Sequence, residues 1–212
     1  MVEAVVFDVG ETLIRDDRGW QAWADWLDVP RHTLSALVGA VVAQGRDNAD
    51  ALRLVRPDID IAAEYRAREA AGRGELLEED DLYADVRPAL AALRQAGLRV
   101  VIAGNQTRRA GELLRALDLP VDAIATSGEW GVAKPDPDFF AKVVELAGSA
   151  PGRLVYVGDH PQNDITPAAA AGLRTAHLKR GPYGHLWGDS PAARAADWRV
   201  DSLHALGPAL VP

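Results

Sequence analysis

The sequence predicts an α/β fold: a parallel sheet covered by helices on both faces, with an all-helical segment inserted after the first strand. Three observations carry this expectation. Short runs that are apolar throughout, such as Ala4-Val5-Val6-Phe7 and Leu154-Val155-Tyr156-Val157, read as strands buried on both faces. Amphipathic helical stretches alternate with them, the pattern of parallel strands joined by helical crossovers. The exception is the stretch from Asp16 to Ala84, which holds helical patterns and no convincing strand.

Taken in order, Ala4 to Phe7 is the first strand and stops at Asp8-Val9-Gly10. The insertion follows, with helical patterns at Trp20 to Leu27, Thr33 to Gln44, Ala49 to Leu54 and Ile61 to Ala71, too much for an ordinary connection. Trp20, Trp23 and Trp26 recur at helical spacing along one face, a packing stripe or a pocket lining. Gly72-Arg73-Gly74, ahead of the acidic run Glu78 to Asp81, is the hinge candidate. Pro88 to Ala96 then reads as a helix, with proline early and Gly97 just past its end. Strands at Leu98 to Ala103, Ala123 to Thr126, Leu154 to Val157 and Thr175 to Leu178 alternate with helices at Arg109 to Leu117, Asp138 to Ala147 and Pro167 to Ala171. Trp198 to Val200 is a short sixth strand, and Arg180 to His185 a loop. The expected division is a core of residues 1–15 and 85–212 and an inserted unit of residues 16–84.

Composition narrows the function. Lys plus Arg number 23 against 31 Asp plus Glu, a formal charge of −8, and such a surface repels nucleic acid and anionic membranes. The absence of cysteine removes disulfides, thiolate nucleophiles and Cys-ligated metals, so any metal must use oxygen or imidazole. No basic start with a long apolar run opens the chain, and no window approaches the about 20 apolar residues that span a bilayer. A cytoplasmic location is expected.

Ligands of open parallel sheets bind beyond the carboxyl ends of the strands. Those ends deliver Asp8, Gly10, Glu11 and Thr12 from the first strand, and Gly104, Asn105 and Thr107 from the second. Lys134 follows the third, and Gly158, Asp159 and Asp164 follow the fourth. Carboxylates, one lysine and small polar groups at one edge suit a magnesium ion and a phosphate.

In this order the four stretches resemble the motifs of the haloacid dehalogenase (HAD) superfamily. The first motif, usually DxDxT, reads Asp8-Val9-Gly10-Glu11-Thr12; the second, usually Ser or Thr before Asn, reads Gly104-Asn105. The third is Lys134 in Ala133-Lys134-Pro135-Asp136-Pro137, and the fourth, GDxxxxD, runs from Gly158-Asp159 to Asp164. The resemblance implies a Rossmann-like three-layer core, a helical cap formed by the insertion, and a phosphatase working through an aspartyl-phosphate on a small phosphorylated molecule. It makes Asp8 the nucleophile, with Lys134 and Mg²⁺ offsetting the crowded negative charge. Asp8, the Gly10 main-chain carbonyl and Asp159 would hold the metal, with Asp164 ligating through water or orienting Lys134. Thr12, Asn105 and the Gly104 N–H would contact the phosphate and position the nucleophile.

Two departures bear on activity. The family's second aspartate, which protonates the leaving group and later deprotonates water, is Gly10 here, and glycine moves no proton. General acid–base assistance is worth about 10²–10⁴-fold, so a slow enzyme is expected unless Glu11 or His160 supplies it. The hydroxyl of the second motif is replaced by Gly104, with Thr107 nearby as a substitute. These losses keep two alternatives open: a weak or inactive member that binds a phosphorylated ligand or a protein, and metal-independent hydrolysis at carbon, which the presence of Asp159 opposes. Schiff-base chemistry from the insertion is excluded, because the lysines are Lys134, Lys142 and Lys179.

Overall fold

The computed structural model describes residues 1–210. Among them, six strands form one parallel sheet: β1 (Ala4–Phe7), β2 (Arg99–Gly104), β3 (Ala123–Thr126), β4 (Leu154–Gly158), β5 (Arg174–Leu178) and β6 (Trp198–Val200). Their spatial order is β3-β2-β1-β4-β5-β6, the doubly wound Rossmann arrangement. Chain direction across the sheet reverses between β1 and β4, where crossovers diverge and leave a crevice. The register pairs Phe7 with Ile102 on one side and Val157 on the other, so Asp8 follows the last paired residue of a central strand.

The β1 and β4 side chains are buried throughout, as expected of strands covered on both faces. Alternation sends Ala4, Val6, Val101, Ala103 and Tyr156 to one face, where they pack on Phe139, Phe140 and Val143 of helix Pro137–Ala147. Each buried valine or phenylalanine among these contributes about 1.5–3 kcal/mol. Trp130, Phe139, Phe140 and Tyr156 form an edge-to-face chain with centroids 5.1, 5.4 and 5.3 Å apart. Tyr156 closes the chain beneath the sheet edge, its hydroxyl donating to the Ala103 carbonyl at 2.7 Å. Capping follows local chemistry: Asp136 accepts from the Asp138 N–H ahead of Pro137, and Gly148, at φ +66°, ends that helix.

The chain divides into two compact units, residues 1–15 with 78–212, and residues 16–77. The sequence places the return to the core at residue 85. Residues 78–84 belong to the core because Leu82 bridges Ile14, Arg15 N–H donates to the Asp81 carbonyl at 2.8 Å, and Tyr83 N–H donates to the Leu13 carbonyl at 3.0 Å. The inserted unit holds helices Asp17–Leu27, Arg31–Ala43, Asp50–Val55 and Ile61–Ala70. Its tryptophans pack internally: Trp23 meets the Tyr65 ring edge-on at 5.1 Å beneath the Arg68 guanidinium, and Trp26 Nε1 donates to Glu64 at 2.7 Å.

Candidate active site

Asp8 follows β1, Asp159 follows β4, and Asp164 closes a single π-type turn at Pro161–Ile165, a helical irregularity frequent at functional sites. One carboxylate oxygen from each lies within 4.8 Å of the others. Lys134 enters from the loop after β3, and its Nζ donates to Asp8 Oδ1 and Asp164 Oδ1, both at 2.6 Å. All four side chains are buried. Beneath the ammonium lies the Tyr156 ring, its centroid 5.5 Å from Nζ.

Burial opposes the Lys134 charge, but Asp164 and Asp8 override it and hold the ammonium well above lysine's ordinary pKa. Burial likewise raises the Asp8 carboxyl, against the pull of Lys134 and with the help of Asp164, to about 6. Three carboxylates against one ammonium leave the cluster short of positive charge. The donors are hard oxygens, which fits a small divalent ion. Asp164 already uses Oδ1 on Lys134 and Oδ2 on the His160 N–H at 2.9 Å, so it braces the lysine and the loop. That leaves Asp8 and Asp159 as the carboxylates of this cluster suited to hold an ion directly.

Other residues singled out by sequence fall around this core. Asn105, expected to position the nucleophile, uses both ends of its amide on Lys134: Nδ2 donates to the Lys134 carbonyl at 2.9 Å and Oδ1 accepts its N–H at 2.8 Å. In this arrangement it positions the lysine. Thr12 is fully buried, and among the described residues its Oγ1 has no hydrogen-bond partner. Thr107 caps helix Arg108–Ala116 by accepting the Ala110 N–H at 3.0 Å, which accounts for its hydroxyl. His160 accepts the N–H groups of Gln162 and Asn163 at Nδ1 and stacks on Tyr183 at 3.8 Å. Glu11 accepts a hydrogen bond from the Tyr83 hydroxyl.

Two contributors were not legible in the sequence. His177, buried in β5, lies 3.1 Å from the Asp159 carbonyl through Nε2; burial lowers its pKa, so the neutral ring donates there and fixes the Asp159 main chain. Gly181 opens helix Gly181–Leu186, where the sequence suggested a loop. A Cβ there would lie 2.5 Å from Glu11 Cβ and 3.1 Å from Asp159 Oδ2, so only bare backbone fits beside both.

A family model for haloacid dehalogenase-like hydrolases matches residues 2–172. The chain belongs to the HAD-like hydrolases. It is similar to the glyceraldehyde 3-phosphate phosphatase of Methanopyrus kandleri, 35% identical over 104 residues that cover 48% of this chain and 45% of that protein. The phosphoglycolate phosphatase of Escherichia coli K12 is 35% identical over 141 residues, 65% of this chain and 54% of its own. The chain spans about half the length of these curated relatives. In fold it is similar to the HAD-hydrolase YfnB of Bacillus subtilis bound to magnesium, with a TM-score of 0.72 at 16% identity over 99% of this chain and 98% of that one.

This HAD-like hydrolase has a physical reason to lack the hydroxyl of the second motif. A Cβ at Gly104 would lie 2.6 Å from Asp8 Oδ1, the oxygen bound to Lys134, and 3.1 Å from Val9 Cγ2. Gly104→Ser is therefore expected to lower kcat about tenfold or more by turning Asp8 off Lys134, despite matching the family pattern. Steady-state kinetics on an aryl phosphate checks this, and a higher kcat would contradict it.

Proposed function

We propose that this HAD-like hydrolase is a Mg²⁺-dependent phosphatase that releases phosphate from a small phosphorylated metabolite through a phospho-Asp8 intermediate. The observation that carries this reading is the buried Lys134 ammonium joining Asp8 to Asp164 beside Asp159. Lys134 keeps Asp8 ionised and aligned while an anion approaches, which an isolated buried carboxylate would resist. Asp8 attacks phosphorus, the bond to the leaving oxygen breaks, and water then cleaves the acyl phosphate back to free Asp8 and inorganic phosphate. Magnesium, held by Asp8, Asp159 and the Gly10 carbonyl, would supply charge neutralisation for the phosphoryl oxygens. The Thr12 hydroxyl, buried without a partner, suits a phosphoryl oxygen. With Gly10 in the usual acid position, Glu11 is the carboxylate we assign to move the proton. The phosphatase names of the relatives support phosphate monoesters as the substrate class.

A metal titration with 4-nitrophenyl phosphate, using Asp8→Asn as the blank, tests the reading. Phosphate release should require Mg²⁺ and vanish in the blank, and intact-mass measurement during turnover should show one phosphate adduct. Chelator-resistant hydrolysis of a 2-haloacid, with none of the phosphate ester, would instead favour hydrolysis at carbon; no activity on either would favour a ligand-binding role.

A further inference from the structure

Glu11 occupies a place that its backbone does not favour. Its φ is +52°, a conformation glycine adopts freely, and its N–H donates to the Ile14 carbonyl at 2.7 Å to hold it there. The side chain leaves this turn beside Asp159, with Gly181 packed against the stem. Its Oε2 accepts a hydrogen bond from the Tyr83 hydroxyl.

Tyr83 is itself held by main chain, hydroxyl and ring. Its main chain is tied to Leu13, its hydroxyl to Glu11, and its ring lies 4.0 Å from the Arg180 guanidinium carbon. The Arg180 fork is fixed by Nη1 donating to the Thr12 carbonyl at 2.9 Å and Nη2 donating to Asp85 Oδ2 at 2.6 Å. Asp85 Oδ2 also accepts the Leu203 N–H at 2.8 Å. The Arg180 and Asp85 side chains are 11% and 10% exposed, so little water competes for these bonds.

We infer that Tyr83 is a positioning residue for proton transfer, aiming the Glu11 carboxylate at the catalytic edge from a platform set by Arg180 and Asp85. The inference rests on the assignment of Glu11 as proton carrier made above. A carboxylate on a flexible stem, with one oxygen tied to a fixed phenol, keeps the other in one place. The missing aspartate is in this way replaced by a neighbour whose aim comes from outside its own loop.

The test compares 4-nitrophenyl phosphate, whose leaving group departs without a proton, with phenyl phosphate, whose leaving group gains from one. Tyr83→Phe is expected to raise the ratio of the two kcat/KM values, which report phosphoryl transfer to Asp8, about tenfold. Arg180→Lys should raise it less, keeping charge over the ring while losing the fork. An unchanged ratio in Glu11→Gln overturns the proton-carrier assignment and the inference with it. A raised ratio in Glu11→Gln with none in Tyr83→Phe overturns the positioning role alone. A crystal structure of Tyr83→Phe provides a readout independent of turnover: a displaced Glu11 carboxylate supports the inference, and an unmoved one overturns it.

Discussion

Lys134→Met is expected to destabilise the protein by about 3–5 kcal/mol, because removing one partner of a buried ionic cluster leaves the others uncompensated. Asp8 and Asp164 both bind the ammonium at 2.6 Å, and the lysine side chain is 3% exposed, so water cannot replace it. The two carboxylates then face each other, and one must take a proton or move apart. Methionine preserves much of the stem's volume, so the loss reports charge more than packing. Urea denaturation at pH 7 measures it. Added Mg²⁺ should narrow the gap between variant and parent, since a divalent ion bound by the folded state restores part of the missing charge. A loss below about 1 kcal/mol would show that the cluster is better hydrated than its burial indicates. Turnover should fall with the lysine, whatever the metal concentration.

The second large effect has opposite signs for activity and stability. Asp8→Asn should abolish phosphate release yet stabilise the metal-free protein at pH 8 by roughly 1–3 kcal/mol. Burial, opposed by Lys134 and reinforced by Asp164, raises the Asp8 carboxyl from 3.8 to about 6. A carboxyl whose pKa is raised on folding binds its proton more tightly in the native state. Folding is therefore penalised as pH climbs through the window from about 4 to 6, and the full penalty persists above it. Asparagine mimics the neutral form and escapes it, while Lys134 keeps Asp164. Thermal melts in chelator at pH 4 and pH 8 test this: the variant's advantage should appear only at the higher pH, and an advantage equal at both would refute the assignment to Asp8. In the parent, kcat/KM should decline below about pH 6 as the nucleophile takes up a proton, and higher Mg²⁺ should move that decline to lower pH.

The sheet and the four charged residues were legible because each signal is local. A run of apolar residues ending in Gly, Asp or Asn marks both a buried strand and the place where its side chains reach the ligand edge, which points to Asp8 and Asp159 directly and to Lys134 through the stretch that follows the third run. The supporting groups carry no such mark. Tyr83 meets Glu11 across 72 residues, and Arg180 meets Asp85 across 95 and Thr12 across 168; no periodicity connects them. His177 sits inside an apolar strand and reads as core, which it is, while also touching the Asp159 carbonyl. The orientation of Asn105 depends on rotamer choice. Thr107 does carry a local mark, since threonine before a helix is a favoured cap. The boundary at residue 78 is hidden because main-chain bonds between residues 81–83 and 13–15 leave no compositional trace.

Gly104, Gly158 and Gly181 together have a consequence for redesign. A methyl group at Gly104 would press on Asp8, at Gly158 on Asp164, and at Gly181 on Glu11 and Asp159. Bare peptide thus borders the negatively charged groups on three sides, and the cleft's shape depends on atoms that are missing. Efforts to refit it with extra donors would do better to reroute the main chain first than to decorate it, since at these positions even one carbon displaces a working oxygen.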